Sequence, residues 1–379
     1  MDERLARIAV ACVAEPGTSG LSARMAEHGP LVVLDEVQAR RSRAGGTLPP
    51  SADAVGDLVA EQARRGVRVL VPGDPEFPSQ LLDLPEPPVA LWVRGPLDLR
   101  MATLRSAAVV GARACTPYGE RATAQIADGL AGTGWAVVSG GAFGIDAAGH
   151  RAALAAGAAT VAILACGVDI AYPRAHDSLL CRIADTGALV SELPPGSPAL
   201  RHRFLARNRL IAAVTRGTVV VEAARRSGAI ATANRALELG RVLMAVPGPI
   251  TSMASAGSNQ LLHEQSARAV ADSQQVVDLL LAGDGPGAAG QAPEGGAAAA
   301  GGPRRSAAAP GPAGTATAGA SLPQAARAVL ELLPRRAGAD LGELAARSGE
   351  PEALCLAWLG LLEVAGLATR GRRGWRRCD

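Results

Sequence analysis

The sequence has no lysine. All 38 of its Lys-or-Arg positions are arginine, so its side-chain cations are guanidiniums, planar, permanently charged and suited to bidentate pairing with phosphate or carboxylate. The absence also excludes a GxxxxGK[ST] loop, and with it P-loop nucleotide hydrolysis. Aromatic residues are scarce as well, with three Phe, two Tyr and four Trp in 379 residues. An interior poor in rings and rich in alanine and glycine favours helices packed closely on a sheet over an aromatic-rich β-sandwich. No apolar run reaches membrane-spanning length. The opening MDERLARIAVACVAEPG has early acids and no long apolar core, so neither a secretory leader nor membrane insertion is expected. Cys12, Cys115, Cys166, Cys181, Cys355 and Cys378 form no CxxC pair and no zinc-ligand spacing with histidine. They read as reduced thiols of a cytoplasmic protein. The net charge of +3 does not mark a nucleic-acid binder, so the placement of the arginines must carry any such argument.

What is present falls into four stretches. Residues 283–321 are almost entirely Gly, Ala, Pro, Ser and Thr. That composition has too few large apolar side chains to offset chain entropy and predicts a flexible tether. It separates a small C-terminal module, 322–379, from the rest. Within residues 1–62, apolar positions recur at helical spacing and break at Glu15-Pro16-Gly17 and His28-Gly29-Pro30, which predicts a small helical module. The body, 63–282, alternates two patterns. Apolar runs at 67–71, 106–110, 135–138, 160–165, 188–190, 218–221 and 242–246 predict buried parallel strands, and amphipathic segments at 119–132, 145–157, 204–214 and 228–239 predict helices. The fold class expected is α/β, a Rossmann-like, doubly wound, mostly parallel sheet. Such sheets hold ligands outside the carboxyl ends of their strands, near the topological switch point.

The loops at those strand ends are rich in small and polar residues. The first, VVGARACTPYG, brings Gly111 and Arg113; the second, VVSGGAFGIDAAGH, brings Ser139, Gly140 and Gly144. The third, ACGVDIAYPRAH, contains Tyr172, Pro173 and Arg174. Later loops carry Ser227-Gly228 and Pro247-Gly248. A glycine at a strand-to-helix turn lets backbone amides approach an anion at the positive end of a helix. One such loop is as readily a plain turn. Several on one edge point to a phosphate-bearing ligand. Residues 201–209, RHRFLARNR, add Arg201, Arg203, Arg207 and Arg209. Arg207 and Arg209 are two apart and diverge on a helix, which leaves one of them for structural pairing with a carboxylate such as Glu192 or Glu222.

Several chemistries have no place here. The first loop is not GxGxxG, which argues against an ordinary dinucleotide site. His150, His176, His202 and His263 show no HExxH pairing, no acid cluster is spaced for two metals, and Ser139 lacks a GxSxG elbow. No catalytic constellation and no cofactor are expected.

The ordered run VGARACTPYG, SGGAFGIDAAGH, GVDIAYPRAH, SELPPG, RFLARNRLIAA, VVVEAARRSGAIATA, GRVLMAVPG and SAGSNQLL resembles the DNA-processing (DprA/Smf) family over about residues 67–265. The resemblance implies a non-catalytic protein that binds single-stranded DNA, protects incoming strands in natural transformation, loads the RecA recombinase and acts as a homodimer. It places Gly111 and Arg113 in the family's GxR loop and Ser139, Gly140 and Gly144 in its SGxAxGID loop. Arg174 becomes the basic residue after YP, and Arg207 and Arg209 the RNR motif, all as expected DNA contacts. Two departures stand out: His176 where the family usually has asparagine, and Leu205-Ala206 where it has phenylalanine-proline.

At the C-terminus, predicted helices at 323–333, 340–348 and 352–366 precede ATRGRRGWRRC, an order that resembles a winged helix. Arginines around Trp375 would contact phosphate and stack on a base; the alternative is an unstructured basic tail. The N-terminal module resembles a SAM-like or helix-hairpin-helix accessory domain. The competing enzyme reading is a nucleotide-processing hydrolase of the LOG group. It requires a PGGxGTxxE segment, and ARRSGAIATANRALE lacks both the double glycine and the aligned glutamate. A third reading makes the core an assembly platform for a winged helix that binds duplex DNA.

Overall fold

The computed structural model describes residues 1–282, 324–334, 338–349, 351–364, 367–371 and 374–378. The tether expected over 283–321 lies outside them. The chain divides into two compact units, residues 1–293 and 294–379.

Four helices open the first unit: α1 (Glu3–Ala11), α2 (Leu21–His28), α3 (Pro30–Arg43) and α4 (Ala52–Arg64). Asp2 and Ser51 cap α1 and α4, accepting from the amides of Leu5 and Ala54. The helices share a core with one end of the sheet, where Ile8, Val10 and Val55 pack with Val67, Val69 and Trp92. There follow β1 (Val67–Leu70), β2 (Leu91–Arg94), α5 (Leu99–Leu104), β3 (Ser106–Val110), α6 (Pro117–Gly132), β4 (Ala136–Ser139), α7 (Ile145–Ala155) and β5 (Thr160–Ile163). Next come α8 (Asp177–Thr186), β6 (Ala188–Ser191), α9 (Arg201–Val214), β7 (Gly217–Val220), α10 (Gly228–Glu238), β8 (Val242–Ala245), α11 (Ala256–His263), β9 (Arg268–Ala269) and α12 (Ser273–Ala282).

The nine strands form one sheet in the order β1-β2-β6-β5-β4-β3-β7-β8-β9. From β6 to β9 all pairs are parallel. Strand 67–71, expected to be parallel to its neighbour, is not: β1 pairs antiparallel with β2, and β2 antiparallel with β6. A parallel neighbour needs a crossover connection, usually a helix. The chain between β1 and β2 makes only a short 3-10 turn at Ser79–Asp83 and folds back along the edge. The alternation of a pleated strand sorts the core to two faces. Ala108 and Val110 of β3 meet Leu210 and Ile211 of α9, whereas Ala107 and Val109 meet Ile126 and Leu130 of α6 and Ile145 of α7.

In the second unit α13 (Gln324–Leu332), α14 (Leu341–Ser348) and α15 (Glu352–Val364) precede an antiparallel hairpin of β10 (Ala368–Gly371) and β11 (Gly374–Arg377). Trp375 is 5% exposed and packs with Val329, Leu344, Leu359 and Leu362. Its backbone exchanges two hydrogen bonds of 2.8 Å with Ala339. This bears on the stacking expected of Trp375 and on the unstructured tail, and leaves the phosphate contacts of the arginines as an expectation. The ring is spent on the module's own core rather than offered to a base, and the segment is paired rather than free. Arg372 and Arg373 lie outside the described residues. Among those described, no helix is long and apolar enough to cross a membrane.

Candidate functional site

From β3 the chain builds β4, β5 and β6 to one side and then returns to lay β7, β8 and β9 on the other. The switch point lies between β3 and β7, and a cleft of about 880 Å³ opens there over the carboxyl ends of the strands. Gly111, Arg113, Tyr172, Phe204, Asn208 and Ser227 are among its lining residues.

Backbone contacts fix the floor. The Ala112 amide donates to the Glu222 carbonyl (2.6 Å), and the Ile145 amide donates to the Ala112 carbonyl (3.2 Å), so the loop after β3 is held between the β7 loop and α7. The Glu222 carboxylate accepts from the Thr116 amide (2.9 Å) and hydroxyl (2.7 Å) at the start of α6. Gly144 has φ +75°, and a Cβ there would run into the backbone of Ala112 and Arg113. Its glycine therefore sets the position of the Arg113 loop directly. A Cβ on Gly140 would strike the Arg207 guanidinium.

Beneath the cleft lies a buried polar cluster. Arg207 donates to the carbonyls of Gly140 (2.7 Å) and Ile163 and to Asn208 Oδ1 (3.2 Å). Asp146 accepts from the amides of Gly140 (3.1 Å) and Ala142 (3.4 Å). Burial brings the Arg207 guanidinium down to about 10, opposed by the nearby Asp146, and pushes the Asp146 carboxyl up, opposed by Arg207. His150 of α7 is fully buried, with Nδ1 2.8 Å from Thr160 Oγ1. Since that hydroxyl donates onward to the Val137 carbonyl, Nδ1 carries the proton. Burial first, then the charge of Arg207, hold this histidine down to about 3 from 6.5.

A pH dependence follows. As pH falls through 6.5 the unfolded chain takes up a proton that folded His150 refuses, so this contribution to stability is present above 6.5 and is lost on acidification. Between pH 6.5 and 5 the loss is about 2 kcal/mol. The raised carboxyl of Asp146 works in the opposite direction. Urea unfolding of wild type and His150→Gln across that range isolates the histidine, because Asp146 is common to both. The wild type should lose stability relative to the variant as pH falls; parallel curves would refute the assignment.

The residues expected at the site separate into groups. Gly111 and Arg113 line the cleft, with Arg113 exposed; Arg207 reaches it from below. Ser139 and Gly140 are buried, the Ser139 hydroxyl donating to the Val109 carbonyl (2.7 Å). Arg174 is exposed just past the cis Tyr172–Pro173 bond, and its side chain makes no hydrogen bond or ion pair among the described residues. Arg209 points elsewhere, pairing with Glu192 (2.5 Å) and donating to the Glu86 carbonyl (2.7 Å). It is the member of the pair engaged by Glu192. His176, one of the departures, is buried with Nδ1 3.0 Å from the Gly141 carbonyl and its ring edge-on to Phe143 at 4.6 Å, so it steadies the loop after β4.

The sequence pattern did not single out the aromatic rim. The Arg113 guanidinium lies 5.1 Å from the Phe204 ring centroid, and the Tyr172 ring lies 5.5 Å from the same ring. Phe143 and Tyr172 are 46% and 44% exposed. In a chain with so few rings, finding both at this edge is the signal that composition offered. Arg201 and Leu205 also line the cleft, and Arg225 and Arg226 are exposed on the loop after β7.

Residues 68–281 match the model of the family described as DNA recombination-mediator protein A. A DprA relative from Mycobacterium tuberculosis is 42% identical over 386 residues, covering 96% of this chain and 92% of its own. The X-ray structure of DNA processing protein A from Streptococcus pneumoniae superposes with a TM-score of 0.59 at 30% identity, over 73% of this chain and 98% of that one. The Helicobacter pylori DNA processing protein A, whose structure concerns its single-stranded DNA binding mode, does so with a TM-score of 0.51 at 28% identity, over 57% and 96%. With its matched core, switch-point cleft and near full-length relative, the chain belongs to the DNA recombination-mediator protein A family.

Proposed function

We propose that the cleft binds single-stranded DNA, that the protein protects such strands and delivers them to the RecA recombinase, and that it acts as a homodimer without catalysing a reaction. The observation that carries the DNA reading is the rim. Arg113, Arg174 and Arg201 are exposed and, among the described residues, make no ion pair, while Phe204 stands beside Arg113 and Tyr172 beside Phe204. Guanidiniums neutralise phosphates, and aromatic faces stack on bases that are free of a partner strand. The Helicobacter relative's single-stranded binding mode supports the same ligand. Glu222, in the loop after β7, is committed to Thr116, which disfavours a hydrolase. Recombinase loading and dimerisation rest on the family membership.

The same reading divides the chain into a SAM-like or helix-hairpin-helix module (1–62), a DNA-binding core (63–282), a tether (283–321) and a winged-helix-like module (322–379). The three helices and hairpin of the second unit support the last of these. Gel shifts with matched oligonucleotides test the function: a single strand should bind at least about tenfold more tightly than the duplex, because stacking needs unpaired bases. Equal or inverted affinities would favour a duplex-binding platform.

A further inference from the structure

Helix α9 supplies Arg201, Phe204, Leu205 and Asn208 to the cleft, yet its start is poorly made on its own terms. It opens with Arg201, His202 and Arg203, has no acid in its first turn, and Leu200 at its N-cap offers no side-chain bond. Cations at the positive end of a helix, over uncapped amides, are unfavourable. The missing anion comes from far away in the chain. Glu15, between α1 and α2, accepts from Arg203 through Nη2 (2.6 Å) and Nε (3.0 Å) and lies 3.1 Å from His202 Nε2. The Arg203 side chain is only 11% exposed, and its remaining nitrogen donates to the Pro198 carbonyl (2.8 Å), closing the approach to the helix. The segment that carries Glu15 is itself anchored. The Gly20 amide donates to Glu86 (2.5 Å), the Ser22 hydroxyl to the Pro87 carbonyl (2.6 Å), and farther along α9 Arg209 donates to the Glu86 carbonyl. One face of α9 thus lines the cleft while other side chains of the same helix are bound to the connection between α1 and α2 and to the connection before β2.

We propose that Glu15 is a positioning residue for the cleft, holding the first turn of α9, and with it Arg201, Phe204 and Leu205, in the arrangement that receives a strand. The N-terminal helices then tune DNA affinity without touching DNA. This rests on the cleft being the single-strand site.

The sign of one substitution separates positioning from simple charge. Removing a negative charge near a polyanion's site raises affinity if only the long-range field matters. Positioning requires the opposite. In the full-length protein, Glu15→Gln should weaken binding of an oligothymidylate by about three- to fivefold, the scale of one partly exposed ion pair. The salt dependence should keep its slope, whereas removing a phosphate-binding guanidinium, as in Arg113→Ala, flattens it by about 0.7 in log–log slope. The charge swap Glu15→Arg with Arg203→Glu should recover most of the affinity. Without DNA, amide hydrogen exchange across residues 201–206 should quicken in Glu15→Gln and not at the far end of α9. Unchanged or increased affinity in Glu15→Gln, with Arg113→Ala weakened as expected, overturns the positioning role and leaves the cleft standing. If the wild-type chain binds no single strand, the site reading falls and this inference with it.

Discussion

Replacing Arg113 and Arg174 together with alanine is expected to flatten the salt dependence of single-strand binding by about 1.4 in log–log slope, about 0.7 for each phosphate that is no longer neutralised. Both side chains are exposed, one beside the Phe204 ring and the other just past Tyr172, and the chain has no lysine to replace them. The double variant should therefore lose more affinity at low salt than at high salt, and more than either single change. Exposed side chains without ion pairs contribute little to folding, so the unfolding midpoint should stay within the range of ordinary surface substitutions, about 0.5 kcal/mol. Titration of a labelled oligonucleotide at several salt concentrations, with urea unfolding alongside, reads both quantities. A well-folded double variant with unchanged affinity and slope would move the site away from this rim.

The opposite pattern is expected of Arg207→Met. The substitution keeps much of the side chain's length and apolar stem but leaves the carbonyls of Gly140 and Ile163 without their donor and buried Asp146 without its facing charge. Leaving two buried carbonyls without a donor and a buried carboxyl without its compensating charge costs about 3–5 kcal/mol, a large part of a typical domain's stability. Urea unfolding should show that loss, with any fall in affinity traceable to displacement of the loop after β4. The salt slope, measured where the variant is still folded, should match wild type. A variant as stable as wild type with a flattened slope would show instead that Arg207 reaches DNA.

The arginines of the core mark where the sequence could be read and where it could not. The switch-point cleft was legible because it follows from apolar runs of strand length separated by amphipathic segments, with glycines at the carboxyl ends; strands β3, β4, β7 and β8 lie where those runs are. The divergence of Arg207 and Arg209 was legible from helical geometry alone. Their burial was not, because it depends on the Ile163 carbonyl and on Glu192, groups supplied by other strands and their loops. Strand β2 was hidden because LWVR follows the proline-rich DLPEPPVA and has no helix before it to announce a crossover. The Phe204–Tyr172 contact joins helix α9 to the loop after β5, and the Glu15–Arg203 pair spans 188 positions of sequence. No periodicity encodes either one; only the assembled fold brings them together.

The sheet order also bears on how the protein is made. β3 takes its hydrogen-bonding partners on one side from β4 and on the other from β7, with Val110 opposite Val220. As synthesis proceeds from the N-terminus, a nascent chain ending before Gly217 already carries Arg113, Arg174 and all of α9, yet β3 is an open edge and the cleft has no second wall. Assembly of the site therefore waits for β7 and the loop through Ser227. Until then the unpaired β3 is the edge to be shielded, because open strands are templates for wrong partners. Translation pausing between α9 and β7 would expose that edge longest, and emergence of the chain through Ala254 supplies the last residues of the cleft's lining.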